Sequence, residues 1–444
     1  MERFALSRMK EWKENENRKP LIIRGARQVG KTWIMKTFGQ QYFEKTAYVN
    51  FDNNARMKQV FEGDLDIERL VLAISAETGV SIEAENTLII FDEVQEVPKA
   101  LTSLKYFYEN APQYAIVAAG SLLGVALHQG TSFPVGKVDF LDLYPLNFRE
   151  FLCAMGEKQF VSMLDSCDTQ MVTVFKTKYI ERLREYYFVG GMPEVVKDFS
   201  EKKDYNRVRA IQKNLINYYQ QDFSKHAEIK LVPRLNLVWN SIPMQLAKEN
   251  KKYIYGQVRE GSRAKDFELA IQWLLDCGLI HKVQRIQKPD LPLKAYIDFD
   301  AFKLFLVDIG LLIAMTDLDA KVIIEGNKIF TEFKGALTEQ YILQQLISDV
   351  GVIPYYYSTQ NSKGEIDFLV QGKTSVIPIE VKAEENLKAK SLKAFCEKYQ
   401  PSYAVRTSMS DYREQDWMTN IPLYAVKWLS LIHISEPTRP LYIS

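Results

Sequence analysis

Leu21-Ile22-Ile23-Arg24-Gly25-Ala26-Arg27-Gln28-Val29-Gly30-Lys31-Thr32 is the stretch on which the fold turns. Its apolar start, just after Pro20, reads as a short buried parallel strand, and a helix is expected to begin near Lys31. Between them Gly25 to Thr32 fits G-x-x-x-x-G-K-[ST] at every fixed position. Glycines let such a loop curl until backbone N–H groups point inward at phosphate oxygens, and the helix N-terminus adds a favourable potential. Gly25, Ala26, Arg27, Gln28, Val29, Gly30, Lys31 and Thr32 are therefore expected to cradle ATP. Lys31 would reach the β- and γ-phosphates, and Thr32 would ligate Mg²⁺. The bland alternative is a glycine turn with an accidental lysine. The strand–loop–helix context weighs against it.

A second motif supports the first. Leu88-Ile89-Ile90-Phe91-Asp92-Glu93 is an apolar strand ending in two acids, which would repel each other without a cation. Asp92 is expected to hold the metal through water, and Glu93 to orient or activate the attacking water. Ser121 follows the strand Ala115–Ala119, where a polar side chain would sense the γ-phosphate. A serine capping the next helix explains it equally well. For an arginine finger the spacing selects none of Arg27, Lys137 and Arg149.

Around these motifs the first third alternates strand and helix signals. Strands are expected at Ala47–Phe51, Leu88–Phe91 and Ala115–Ala119, and helices at Met57–Phe61, Ile67–Glu77 and Lys99–Glu109, the pattern of a parallel sheet covered on both faces. From about Phe151 helical periodicity dominates, interrupted at Gly190-Gly191-Met192-Pro193 and again at Tyr218–His226. Helices at Arg234–Lys248 and Arg263–Leu275, followed by strands at Leu279–Gln287 and Lys294–Asp298, have the order of a winged helix. After Gly326 a third, α/β module is expected. It has a helix at Leu337–Leu346, strands at Pro354–Ser358, Ile366–Val370, Val376–Val381 and Ser402–Arg406, a helix at Leu392–Lys398 and a closing strand at Leu423–Val426.

The chain of 444 residues is long enough for two or three domains at about 100–200 residues each. Three are expected: 1–155, 156–325 and 326–428. Residues Leu429 to Ser444 carry two prolines and no periodicity, and part of them resembles the translation of a transposon adaptor used in making sequencing libraries. They are read as a non-native tail. A net charge of +1 supplies no overall field toward nucleic acid or an acidic membrane. The four cysteines are far apart, without zinc spacing, and suit a reducing compartment. No signal-like or membrane-spanning stretch is legible, so a cytoplasmic protein with no membrane partner is expected.

In the third module Glu365 and Asp367 share one face of a strand, and Glu380 and Lys382 share one face of the next. With Glu339 from the preceding helix this makes D…E-x-K plus a helical acid, which could bind Mg²⁺ and activate water for phosphodiester cleavage. A solvated polar hairpin face explains the same residues without chemistry.

The span Met1 to Trp428 resembles prokaryotic AAA+ ATPases that carry a C-terminal domain of unknown function related to PD-(D/E)XK nucleases. The resemblance lies in Arg24–Thr32, Leu88–Gln95, Ala119–Leu122, Tyr144–Phe151, Gly190–Glu194, Lys303–Leu311, Gly335–Glu339 and Glu365–Lys382. It implies a P-loop AAA+ core, a winged-helix-like middle and a restriction-endonuclease-like end. Where many relatives have Gly-Arg before the Pro-Leu-x-Phe-x-Glu-Phe segment, this sequence has Gly136-Lys137, and lysine lacks the bidentate fork of a finger arginine. Two functions remain open: an ATP-driven enzyme acting on DNA or RNA, and a STAND-type switch whose nucleotide state changes contacts with a protein partner or a second copy. A metabolic kinase is disfavoured, because Glu93 and Ser121 suit water activation.

Overall fold

Strand β1 (Leu21–Arg24) lies inside a five-stranded sheet with the order β2 (Lys45–Asn50), β3 (Thr87–Asp92), β4 (Ala115–Ala119), β1 and β5 (Asp139–Asp142). This is a computed structural model, and it describes residues 1–120, 134–248, 252–324, 331–359, 364–384 and 389–430. Every strand pair in this sheet is parallel. β3 and β4 are buried throughout, as continuous apolar strands must be when helices cover both faces. The connecting helices Ala55–Glu62 and Ile67–Thr78 start on side-chain caps from Asn54 and Asp66, while Pro98 opens Pro98–Asn110. Phe51, Phe61 and Phe91 meet edge to face at centroid separations of 5.4–5.6 Å and fix the packing on one face. β1 sits between β4 and β5, and β3 lies on the far side of β4. β5 was not foreseen: Asp-Phe-Leu-Asp is short and acidic at both ends, and its register against β1 decides its state.

By contact the described chain divides into two compact units, Glu2–Tyr144 with Gln272–Leu279, and Pro145–Ile271 with the residues from Ile280 onward. The larger unit holds an eight-stranded mixed sheet. Its order is β12 (Arg413–Gln415), β13 (Met418–Pro422), β11 (Val405–Ser408), β10 (Val376–Val381), β9 (Glu365–Gln371), β8 (Tyr355–Ser358), β6 (Ile280–Ile286) and β7 (Ile297–Leu306).

Several expectations change here. The ribbon β6–β7 is no free-standing wing: Arg285 and Ile286 of β6 pair in parallel with Tyr356 and Tyr357 of β8. Ala301–Leu306 of β7 is buried at every position, which a solvated wing would not tolerate. Strands on either side of the expected 325/326 boundary thus share one sheet. Tyr218–His226 does not interrupt the helical region. It completes the 22-residue helix Tyr205–His226, capped by Asp204 and carrying a buried stripe through Val208, Leu215, Tyr219 and Phe223. The expected strand Leu423–Val426 is part of the 3₁₀ turn Leu423–Trp428, and the closing strand is β13, just before it. Leu429 and Ser430 are buried, while residues 431–444 of the expected tail lie outside the described ones. Among the described residues no helix is long and apolar enough to cross a membrane.

Candidate nucleotide site

The loop after β1 depends on backbone that other residues would not supply. Gly25 has φ of +148°, and a Cβ there would stand 2.1 Å from the Leu143 carbonyl oxygen. Gly30, at φ +95°, turns the chain into the helix Lys31–Tyr42. Arg3, itself buried, donates from Nη1 to the Val29 carbonyl at 3.0 Å and from Nη2 to the Tyr144 carbonyl at 2.6 Å, so the amino terminus clamps the loop from behind. Gly278 closes on the other side, where a Cβ would lie 3.1 Å from the Ala26 nitrogen.

Lys31 is buried, and its Nζ donates to the carbonyls of Gly25 at 2.9 Å and Ala26 at 2.8 Å. Burial pulls its pKa down to about 8, opposed by Glu93 and Asp92 and assisted by Arg27. Among the described residues no carboxylate forms an ion pair with this ammonium, which gains from an arriving anion. Thr32 Oγ1 donates to Asp92 Oδ2 at 2.7 Å, joining the two motifs that the sequence separates by 60 residues. Tyr48, from β2, donates to the same oxygen at 2.9 Å. Burial, together with Asp92, holds the Tyr48 hydroxyl well above the usual range, so it stays a neutral donor.

Glu93 adopts φ +52° and ψ +44°, a left-handed conformation costly for a residue with Cβ. Strained positions of this kind cluster at functional sites. Gln95 Nε2 donates to Glu93 Oε2 at 2.8 Å and orients the carboxylate. The donor set fits Mg·ATP: paired hydroxyl and carboxylate oxygens suit a hard cation that keeps several waters, and Lys31 beside a glycine turn suits phosphates.

Ser121 lies outside the described residues. Of the finger candidates, Lys137 pairs with Glu109 at 3.1 Å, and Arg149 pairs with Asp349 at 2.9 Å and with Asp165. Both are engaged within the fold.

In the larger unit the acids expected to form a site are each bound to a partner, and among the described residues they do not form a group that could hold a metal ion. The β9–β10 register sets Ile379 against Phe368, so one step further Glu380 faces Asp367. Asp367 Oδ2 accepts the Val381 N–H at 2.7 Å, Lys382 Nζ lies 2.8 Å from Glu380 Oε1, and Glu339 is buried on the helix Thr331–Gln345. Sequence reasoning missed a further member, Lys303 of β7. It is fully buried, forms an ion pair with Glu365 and lies 3.6 Å from Glu339. Burial acts to discharge it, but Glu339, Glu365 and Asp367 outweigh that and raise its pKa well above the ordinary value.

Residues 17–152 match the profile of the AAA domain. This region is similar to the AAA domain, a nucleotide-binding ATPase family. Residues 180–322 and 334–426 match two domains of unknown function, DUF8612 and DUF4143. No curated relative matches the chain. Among solved structures, a Walker-type ATPase of Pyrococcus abyssi is 15% identical, with 71% of this chain and 95% of that one covered at a TM-score of 0.43. The Orc1 protein of Aeropyrum pernix, in complex with DNA, is 13% identical over 70% and 91% of the two chains at 0.27. Cdc6p of Pyrobaculum aerophilum is 10% identical over 70% and 92% at 0.25. At TM-scores below 0.5 none of these likenesses bears on what the chain does.

Arg3, Tyr48 and Gly278, which complete the AAA domain's site, were not singled out by the sequence. Each reaches the site through tertiary contact, and none leaves a local signal.

Proposed function

We propose that the AAA domain binds Mg·ATP and hydrolyses it, and that turnover gates a conformational change passed to the rest of the chain. The observation that carries this reading is the 2.7 Å contact between Thr32 and Asp92 beside the buried ammonium of Lys31. Bound ATP supplies the phosphoanhydride bond, and Mg²⁺ its charge neutralisation. Lys31 and the loop amides would orient the phosphates, Thr32 and Asp92 would hold the metal, and Glu93, aimed by Gln95, would position and deprotonate water.

A switch is favoured over a machine that reads duplex sequence. The helix Ala264–Asp276 exposes Lys265 next to Glu268 and Leu269, a mixed face that suits phosphate poorly. Its last residues, with Gly278 against the loop, count with the ATPase unit while its first residues count with the other. One helix therefore runs from the ATPase unit into the rest of the chain, and this supports a change passed along it to a protein partner or a second copy.

The test is ATP binding by the full chain beside Lys31→Ala, together with incubation with labelled single- and double-stranded DNA and RNA in Mg²⁺ or Mn²⁺. Expected are ATP binding lost in Lys31→Ala and no cleavage of any substrate. Cleavage abolished by Glu380→Ala would replace the switch with a nuclease.

A further inference from the structure

The carboxylate cluster of the larger unit already contains a cation. Lys303, with no exposed side-chain surface, sits between Glu365 and Glu339, its Nζ 4.8 Å from the centre of the Tyr356 ring. Lys382 is committed to Glu380, and buried Arg406 lies opposite Glu380 in the β10–β11 register. The carboxylates of Glu339 and Glu365 are thus met by Lys303 and that of Glu380 by Lys382.

A hard divalent ion needs several carboxylate or water oxygens turned toward one point. Here Glu339 and Glu365 turn toward an ammonium, Asp367 accepts a backbone N–H, and Glu380 binds Lys382 through one oxygen. Among the described residues no group of three or more His, Cys, Asp or Glu is placed to hold a metal ion. Glu380 Oε2 is nevertheless buried with no hydrogen-bond partner among them.

We propose that Lys303 is the resident cation of this cluster, so that the native protein takes no divalent metal there and a Mg²⁺- or Mn²⁺-class site lies latent beneath the ammonium. The cluster then acts as an ionic tie joining β7, β9 and the helix Thr331–Gln345. Removing the ammonium leaves Glu339 and Glu365 with uncompensated negative charge in a buried space, beside the free Oε2 of Glu380, the condition that draws in a hard cation. The inference does not depend on the ATPase reading.

The test titrates the full chain, Glu380→Gln, Lys303→Ala and the double variant with Tb³⁺, read by tyrosine-sensitised emission, and with Mn²⁺. Any ion at the ATP site is common to all four. Expected are equal numbers of ions on the wild type and Glu380→Gln, one more per chain on Lys303→Ala, and loss of that extra ion in the double variant. A wild type binding one ion more than Glu380→Gln would overturn the proposal, as would folded Lys303→Ala binding no more than wild type. Should Lys303→Ala fail to fold, the comparison of wild type with Glu380→Gln still decides: equality supports the resident lysine and an excess refutes it.

Discussion

Among the described residues two buried lysines, Lys31 and Lys303, stand near carboxylates, and their environments pull in opposite directions. Lys31 rests on two loop carbonyls while Asp92 is taken up by Thr32 and Tyr48, so burial wins and the pKa falls to about 8. Lys303 sits against Glu365 and Glu339 with Asp367 nearby, so the charges win and its pKa rises. The first is an ammonium awaiting an anion. The second has its counter-ions built in. Identical side chains thus mark a ligand site and a structural tie, and the local balance of desolvation against pairing tells them apart.

The largest effect that would break this contrast is on stability. Lys303→Ala strands buried carboxylates and is expected to cost about 3–5 kcal/mol in urea unfolding. Its ATP affinity should stay within about twofold, since it lies outside the nucleotide site. Lys31→Met has the opposite sign: removing a desolvated, underpaired charge is expected to raise nucleotide-free stability by about 1–3 kcal/mol while ATP binding is lost. A loss of stability in Lys31→Met would mean that its carbonyl contacts outweigh its desolvation.

The pH dependence sharpens the same point. The folded value of Lys31, about 8, lies below its ordinary value of 10.5, so between the two the unfolded chain holds the proton more tightly. Nucleotide-free stability should therefore rise as pH climbs through this window, and the rise should be missing in Lys31→Met. ATP affinity should fall by up to about tenfold between pH 8 and 9 as the free ammonium discharges. Lys303 behaves oppositely: its contribution is complete below the ordinary lysine range and is lost only as pH passes its raised folded value, so it adds no slope near neutrality. The smallest effect is expected from Tyr48→Phe. It removes one hydrogen bond to Asp92 and should shift the Mg²⁺ requirement for ATP binding by about fivefold or less, measured by titration calorimetry.

The sequence was most legible where local pattern and chemistry coincide. Gly25–Thr32 and Leu88–Glu93 are contiguous motifs on uninterrupted apolar strands, and their contact through Thr32 and Asp92 follows from the parallel order of the sheet. β9 and β10 were readable for the same reason, and alternation put Glu365 with Asp367 and Glu380 with Lys382 on one face of each strand, while the register that sets the two pairs side by side was not legible. What escaped was set by partners distant in sequence. β5 is an acidic tetrapeptide until it meets β1, the ribbon β6–β7 has no visible need of β8, and Lys303 looks like a surface lysine in Asp-Ala-Phe-Lys-Leu-Phe-Leu. The strand placed at Leu423–Val426 failed because a buried apolar run suits a 3₁₀ turn as well as a strand. The left-handed backbone of Glu93 cannot be inferred from an Asp-Glu pair at all.

The most direct test of the ATPase account is turnover of saturating Mg·ATP by the full chain and by Glu93→Gln, with ATP affinity measured on both. The account predicts hydrolysis by the wild type, and in Glu93→Gln an affinity within about threefold but a turnover lower by about 10²-fold or more. Hydrolysis by Glu93→Gln at the parent rate would contradict the role given to Glu93, and a wild type that fails to bind ATP would contradict the site itself.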